Sequence, residues 1–312
     1  MSSLIVTMDT GGSKTLLNLC DISGEIIREE NCVGVGVLNE ADAKIDELEA
    51  AIFCLMKGYE RADVLSVVGN VGGTNNQQLT EVMQKEFPKA KVEIFRESSG
   101  VLMADLCRLK KIDAILMAGT GSIALAIGDN GSVITDGWSP YLGDGGSGFW
   151  IGMQAIRRSL RMLESKLPLS PLVKELTGRE EPFSPYADVS AQMPDRDKIR
   201  GMILPLERKK VAAITKRCAE YARAGDDFSK EIFRDAGEAL ADTVLRAVIT
   251  AGGKDSAGIM VTGGLVGCAD LWSESFDKRI KRENENYSWQ TGEINMIEGA
   301  LYHALSEFDD RR

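Results

Sequence analysis

The sequence predicts an α/β protein built from two similar halves. Two glycine-rich turns and an alternation of strand and helix patterns carry that prediction. The first turn lies in L-I-V-T-M-D-T-G-G-S-K-T-L-L-N-L (4–19). There an apolar run enters Asp9 and Thr10, turns through Gly11, Gly12, Ser13 and Lys14, and leaves from Thr15 into a second apolar run. The second lies in A-I-L-M-A-G-T-G-S-I-A-L-A (114–126), turning through Gly119, Thr120, Gly121 and Ser122. Strand, turn and strand make each a β-hairpin rather than a loop that feeds a helix. At 312 residues the chain is long for one core, and two domains follow from that length.

Each element then follows in order. A third strand lies near Ile26 and Ile27, and Ile45, Leu48, Ile52, Leu55 and Met56 recur at helical spacing, predicting a helix over 41–59. A buried strand over 64–68 runs into Gly69-Asn70-Val71-Gly72-Gly73-Thr74. Next come a helix over 77–86, a strand over 91–95, a turn at Glu97-Ser98-Ser99-Gly100 and a helix over 101–110. From Ala114 the same program restarts. The Pro- and charge-rich stretch 168–205 reads as a surface insertion with short helices. Long helices follow over 207–223 and 227–252, then a buried strand over 258–262 that enters Gly263-Gly264, and a last helix over 298–308. The expected division is 1–115 for the first lobe, completed by 298–312, and 116–297 for the second.

Composition narrows the functional classes. With 44% hydrophobic and 27% charged residues the chain is an ordinary globular protein. A formal net charge of -10 argues against nucleic acid as a partner, so any bound anion must be captured by local donors or a metal ion. No signal-peptide pattern opens the chain and no apolar run is long enough to span a membrane, so a cytoplasmic location is expected. Six cysteines without C-x-x-C spacing read as reduced, buried thiols rather than a disulfide frame or zinc site. The single histidine, His303, rules out a histidine-based triad and a multi-histidine metal site.

The turns themselves carry the chemistry. Glycines let backbone N–H groups converge on an anion, and Ser and Thr hydroxyls add donors. Neither turn matches G-x-x-x-x-G-K-[ST], and neither opens a helix as a dinucleotide fingerprint requires. Each alone is also an ordinary tight hairpin; the pair, followed by Gly263-Gly264, favours a nucleotide held by two similar lobes. Asp9 is placed to organise Mg²⁺ through water, which that ion gives up reluctantly. It is equally an acceptor for an Asx-type turn.

At this point the residues carry a resemblance. D-T-G-G-S-K-T, A-G-T-G-S and V-T-G-G resemble the two phosphate motifs and the adenosine motif of the actin/hexokinase/Hsp70-type ATPase fold. The segment D-G-W-S-P-Y-L-G-D-G-G-S-G-F-W-I-G (136–152) is similar to the W-x-x-x-x-G-D-E-G-S-x-x-W-I-G segment of N-acetylglucosamine kinases, within the BadF/BadG/BcrA/BcrD ATPase group. The helix segment at 224–240 agrees as well. The resemblance implies two duplicated ribonuclease H-like lobes with mixed five-stranded sheets flanked by helices, and nucleotide and substrate in the cleft between them. It implies a sugar kinase using ATP and Mg²⁺, and a homodimer with neither nucleic acid nor membrane as partner. Gly11, Gly12, Ser13, Lys14 and Thr15 would hold the terminal phosphates from one lobe, Gly119, Thr120, Gly121 and Ser122 from the other, and Gly263 and Gly264 would lie against adenosine.

Two positions depart from the resembling kinases. Their general base is an Asp opening a D-A-x-G turn; here that position holds Glu97, the same acid with one more methylene, or else a cap for the next helix. Asp105, inside that helix, reads as solvated surface. Their sugar-binding Asn falls at Gly36, so Asn39 is the available substitute. Asp144 would accept two sugar hydroxyls or cap the helix that follows, with Gly143 and Gly73 beside the substrate. Trp138 would stack on a pyranose face or sit in the core. The acceptor is therefore open among N-acetylglucosamine, glucosamine, another amino sugar or a hexose. The rival expectation is a non-kinase ATPase or nucleotide-binding regulator. Its electron-transferring form needs cysteines near the second hairpin, and none lies between Cys107 and Cys218.

Overall fold

A computed structural model of the chain describes residues 3–11, 13–36, 41–72, 76–96, 99–183, 189–253 and 255–309. They form two compact units: Met1–Lys111 with Ile294–Arg312, and Ile112–Glu293. The division falls before residue 114, so the strand entering the second hairpin belongs wholly to the second unit rather than being split at 115.

In the first unit, β1 (Leu4–Thr10), β2 (Lys14–Asp21), β3 (Ile26–Val33), β4 (Val64–Val71) and β5 (Lys91–Arg96) form one sheet in the order β3-β2-β1-β4-β5. β1 pairs antiparallel with β2 and parallel with β4. It is covered on both faces, which is why Leu4, Ile5, Val6 and Met8 read as a continuous apolar run. The edge strand β3 is half-buried and carries Arg28, Glu29 and Glu30, charges that discourage further pairing. Helix α1 (Ala41–Leu55) packs on β3 and β2 and helix α2 (Asn76–Glu86) on β5, so that Leu48, Ile52, Leu55, Leu79 and Met83 join Leu4, Val6, Leu17 and Leu19 in one core.

The remaining helix of this stretch, α3 (Val101–Lys110), matches its predicted span. The chain's last helix, Met296–Asp309, returns to this unit and packs on α3, β1 and β4. That packing corrects the surface reading of Asp105, which is 5% exposed. Its carboxylate meets His303 Nδ1 at 2.8 Å and accepts from Arg108 Nη1 at 2.7 Å.

The second unit repeats the plan. β6 (Ala114–Ala118), β7 (Ser122–Gly128), β8 (Gly131–Asp136), β9 (Gly258–Thr262) and β10 (Ser288–Thr291) stand in the order β10-β9-β6-β7-β8. β6 pairs antiparallel with β7 and parallel with β9, as β1 does with β2 and β4. The duplication expected from the two hairpins is therefore present strand for strand. The helices are α4 (Gly148–Leu163), α5 (Pro171–Thr177), α6 (Val189–Ile203), α7 (Arg208–Arg223), α8 (Asp227–Thr250) and α9 (Ala269–Glu283), and the returning helix is α10. Phe233, Ala236, Leu240 and Val244 of α8 pack on β6 and β7, and on Trp272 and Phe276 of α9. Asp226 caps α8 by accepting from Ser229 N at 3.1 Å.

Two readings change here. The 168–205 segment is not only surface: Leu169, Val173 and Ile199 are buried with Leu163, and α6 is as long as α1. The helix α9 and strand β10 were not anticipated. α9 buries only Trp272, Ser275, Phe276 and Ile280 within a highly charged run, and β10 is a short, mostly exposed edge strand.

Candidate functional site

The first hairpin is closed by hydroxyls. Thr15 Oγ1 donates to the Val33 carbonyl at 2.8 Å, and the Thr10 and Thr15 hydroxyl oxygens lie 2.6 Å apart. Thr15 is fully buried, so its hydroxyl braces the turn from beneath. Backbone bonds from Gly36 N to Gly11 O (3.0 Å) and from Gly72 N to Thr10 O (2.8 Å) fix the turn against its neighbouring loops. Ser13 and Lys14 remain exposed. Asp9 stands in register with Asn70 on β4, and Asn70 Nδ2 donates to Asp9 Oδ1 at 2.8 Å. Asn70 is 4% exposed, and its own Oδ1 is buried with no hydrogen-bond partner among the described residues. Sequence reasoning missed Asn70. The signal was its place: a polar residue between glycines at the end of the strand parallel to β1.

The second hairpin is braced by a helix. Gly148 N donates to Gly119 O (2.8 Å) and Phe149 N to Thr120 O (3.1 Å), so the start of α4 holds the turn. Ser122 Oγ donates to Gly145 O at 2.9 Å. Gly263 sits at φ +100°, and a Cβ there would lie 2.5 Å from the Ala118 carbonyl; only glycine fits that approach. Its neighbour Gly264 comes within 3.9 Å of a Cβ built on Gly119. The structure thus brings the Gly263-Gly264 turn and the second hairpin together within one unit.

Asp144 lies against the same hairpin. It is 2% exposed, in the left-handed region at φ +59°, and held there by Asp136, whose carboxylate accepts from Asp144 N (2.5 Å) and Gly145 N (3.2 Å). Arg208 Nη2 donates to Asp144 Oδ2 at 2.9 Å. Burial pushes the Asp144 carboxyl above its ordinary value. The Arg208 charge opposes that rise, the Asp136 charge adds to it, and the Ser122 backbone opposes it. Asp144 is not the cap of α4: Ser147 is, accepting from Trp150 N at 3.2 Å. Asp136 and Arg208 were also missed, because pairs 8 and 64 residues apart leave no spacing pattern.

Trp138 is not a core residue; it is 73% exposed. It lines an open cleft of about 600 Å³ with Tyr141, Trp150, Gln154, Arg157 and Arg246, and Gly143 lies in the same wall. Gly12, Asn39, Gly73 and Glu97 lie outside the described residues. At Gly36 a Cβ would stand 2.9 Å from Gly11 O and 3.2 Å from Gly72 O, so no asparagine side chain fits that position. None of the six cysteines is in a disulfide. Burial pushes Cys20 up to about 11 and Cys218 up to about 12, which leaves both inert as nucleophiles at neutral pH. Cys54 is exposed, against the expectation of buried thiols. Among the described residues no helix is long and apolar enough to cross a membrane.

Two units of the same strand order, each with a glycine hairpin at the same place in its sheet, define the ribonuclease H-like, actin-type ATPase class. The chain belongs to the BadF/BadG/BcrA/BcrD ATPase family, whose model matches residues 6–304. It is similar to the N-acetyl-D-glucosamine kinase of Dictyostelium discoideum, 29% identical over 57% of this chain and 53% of that enzyme, so the match spans about half of the relative's length. It is 22% identical to the N-acetylmuramic acid/N-acetylglucosamine kinase of Clostridium acetobutylicum, over 98% of this chain and 99% of that one. Among solved structures, a candidate N-acetylglucosamine kinase from Chromobacterium violaceum superposes with a TM-score of 0.62 at 19% identity, covering 96% of this chain and 98% of that one.

Proposed function

We propose that this protein is an ATP-dependent sugar kinase that phosphorylates an amino sugar, N-acetylglucosamine or glucosamine, or a related hexose. The observation that carries the reading is the pair of braced glycine hairpins, each with a carboxylate beside it, in a chain whose family is an ATPase family. Phosphoryl transfer asks little covalent chemistry of a protein; positioning and charge neutralisation set the rate. The N–H groups and hydroxyls around Gly11, Gly12, Ser13 and Lys14 take phosphate oxygens, as do those of Gly119, Thr120 and Gly121. Thr15 and Ser122 brace the two turns, and Gly263 and Gly264 border the adenosine.

The residues beside the first hairpin fit a hydrated Mg²⁺. Asn70 turns the Asp9 carboxylate, and among the described residues no basic side chain pairs with it and Asn70 Oδ1 is a buried acceptor without a donor. A Mg²⁺ ion held there would supply neutralisation of phosphate charge. Glu97 takes the proton of the acceptor hydroxyl as its oxygen bonds to the terminal phosphorus and the bond to ADP breaks. Asp144, Gly143, Trp138, Asn39 and Gly73 are the residues assigned to sugar contact in this proposal. The absence of room for a side chain at Gly36 supports an acceptor held differently from N-acetylglucosamine in the resembling kinases.

The same proposal puts the protein in the cytoplasm, in keeping with six cysteines outside any disulfide, and makes it a homodimer, which light scattering checks. An ATP-consumption screen across amino sugars and hexoses tests the activity. ADP must appear only when a sugar is present. Steady ADP release without sugar would show a non-kinase ATPase, and nucleotide binding without turnover would show a regulator.

A further inference from the structure

Among the described residues Arg208 has no counterpart paired with Asp9 at the first hairpin, and its surroundings give it a use. It is the first residue of α7, and its guanidinium lies on the tip of the second hairpin. A Cβ added to Gly121 would stand 2.6 Å from Arg208 Nη2 and 2.7 Å from Asp144 Oδ2. The Ser122 backbone also favours the charged form of that carboxylate. Asp144 therefore stands where a guanidinium and the hairpin backbone converge, and that set of donors suits a phosphate oxygen.

The scaffold holds Arg208 at this place. Thr215 Oγ1 of α7 donates to Gly148 O at 2.8 Å, while Gly148 N braces Gly119 O. One residue thus anchors both the helix that carries the arginine and the hairpin it covers. The guanidinium end remains free to re-aim, because the Arg208 side chain is 48% exposed while Asp144 is almost fully buried.

We propose that Arg208 binds the nucleotide's phosphate chain at the second hairpin, and that Asp144 is the positioning residue that holds it there until phosphate takes its place. A single buried carboxylate is a weaker partner than an oligophosphate. Its burial already disfavours the charge that Arg208 needs, so the exchange runs towards phosphate. The inference rests on reading the second hairpin as a phosphate turn.

The test is calorimetric titration of the full chain with Mg-ATP and, separately, with adenosine. Arg208→Met lowers ATP affinity about tenfold to a hundredfold, the worth of a charge-assisted hydrogen bond, and leaves adenosine affinity unchanged. Arg208→Lys recovers part of the loss. Should Arg208→Met fail to fold around its unpaired carboxylate, the double variant Arg208→Met/Asp144→Asn removes that charge and shows the same selective loss. ATP affinity equal to the parent's in the folded variants, or an equal fall for adenosine, overturns the proposal while leaving the phosphate reading in place. A parent chain that binds adenosine no more weakly than ATP overturns the phosphate reading itself, and this inference with it.

Discussion

The two hairpins occupy the same place in the same sheet topology, yet they are furnished with opposite electrostatics. Beside the first, the carboxylate of Asp9 is oriented by a neutral amide, Asn70. Beside the second, the carboxylate of Asp144 is paired with a guanidinium, Arg208. The bracing differs too: loop backbone at Gly36 and Gly72 holds one turn, and the start of α4 holds the other. An acid without a cation nearby is a place for a metal ion to bind. An acid that shares a cation is a place for a stronger anion to take that cation over. Duplication supplied one glycine hairpin twice, and in the proposed function the residues packed around each copy separate their tasks.

In the proposed function the carboxylates at the two hairpins serve the metal and Arg208, so the largest effect should come from outside both. Glu97→Gln keeps the size of the side chain and removes the base. It should cost about two to four orders of magnitude in turnover while nucleotide affinity stays at the parent's level. A parent-like rate in that variant moves the base elsewhere. A loss of ATP affinity in step with rate would place Glu97 in the phosphate site and undo the separation of positioning from proton transfer.

A middle-sized effect should appear at Asn70, which in the proposed function acts on the metal only through Asp9. Asn70→Ala leaves the carboxylate in place but unoriented. The Mg²⁺ concentration for half-maximal activity, and for half of the ATP-dependent melting shift, should rise about tenfold to a hundredfold. Asn70→Asp should not restore it, because a second carboxylate replaces the donor to Asp9 Oδ1 with a repelling charge. An unchanged Mg²⁺ requirement in the alanine variant would mean that Asp9 is a turn acceptor and that the contrast between the hairpins is structural alone.

What could be read in the amino-acid order, and what could not, follows from the same contrast. Strands β1 and β6, their glycine turns and the helices α3 and α7 stand out because local apolar spacing and local turn residues define them. The duplicated order of the sheets was legible from the two hairpins for the same reason. The helix α9 was hidden because its buried positions are few and its exposed face is densely charged. The partners that set each hairpin's electrostatics were hidden for a different reason. Asn70 reaches Asp9 only through parallel strand pairing, and Arg208 reaches Asp144 only because α7 packs on α4. Asp105 misled because its exposure is decided by α10, nearly two hundred positions later, through a contact with His303. Motifs announce the backbone that will meet a ligand; tertiary packing decides the charge of what stands beside it.

The smallest expected effect concerns stability, and it separates the two acids most finely. Asp144 is buried and its carboxyl is raised above the ordinary value, so the folded chain holds that proton more tightly than the unfolded chain does. The sign follows: stability from this group is fully present below the unfolded value and is lost as pH climbs through the raised folded one. At neutral pH the charged carboxylate is thus a net cost to folding, even with Arg208 beside it. Asp144→Asn removes that cost. Asparagine also tolerates the left-handed backbone at φ +59° at least as well as aspartate. Arg208, half exposed, returns to water with little loss. Urea unfolding of Asp144→Asn should therefore show stability at or above the parent's at pH 7, with the advantage narrowing as pH falls towards 4. A variant clearly less stable than the parent at pH 7 would make the Asp144–Arg208 pair a stabilising bond, and Arg208 would then be fixed to Asp144 rather than available to phosphate.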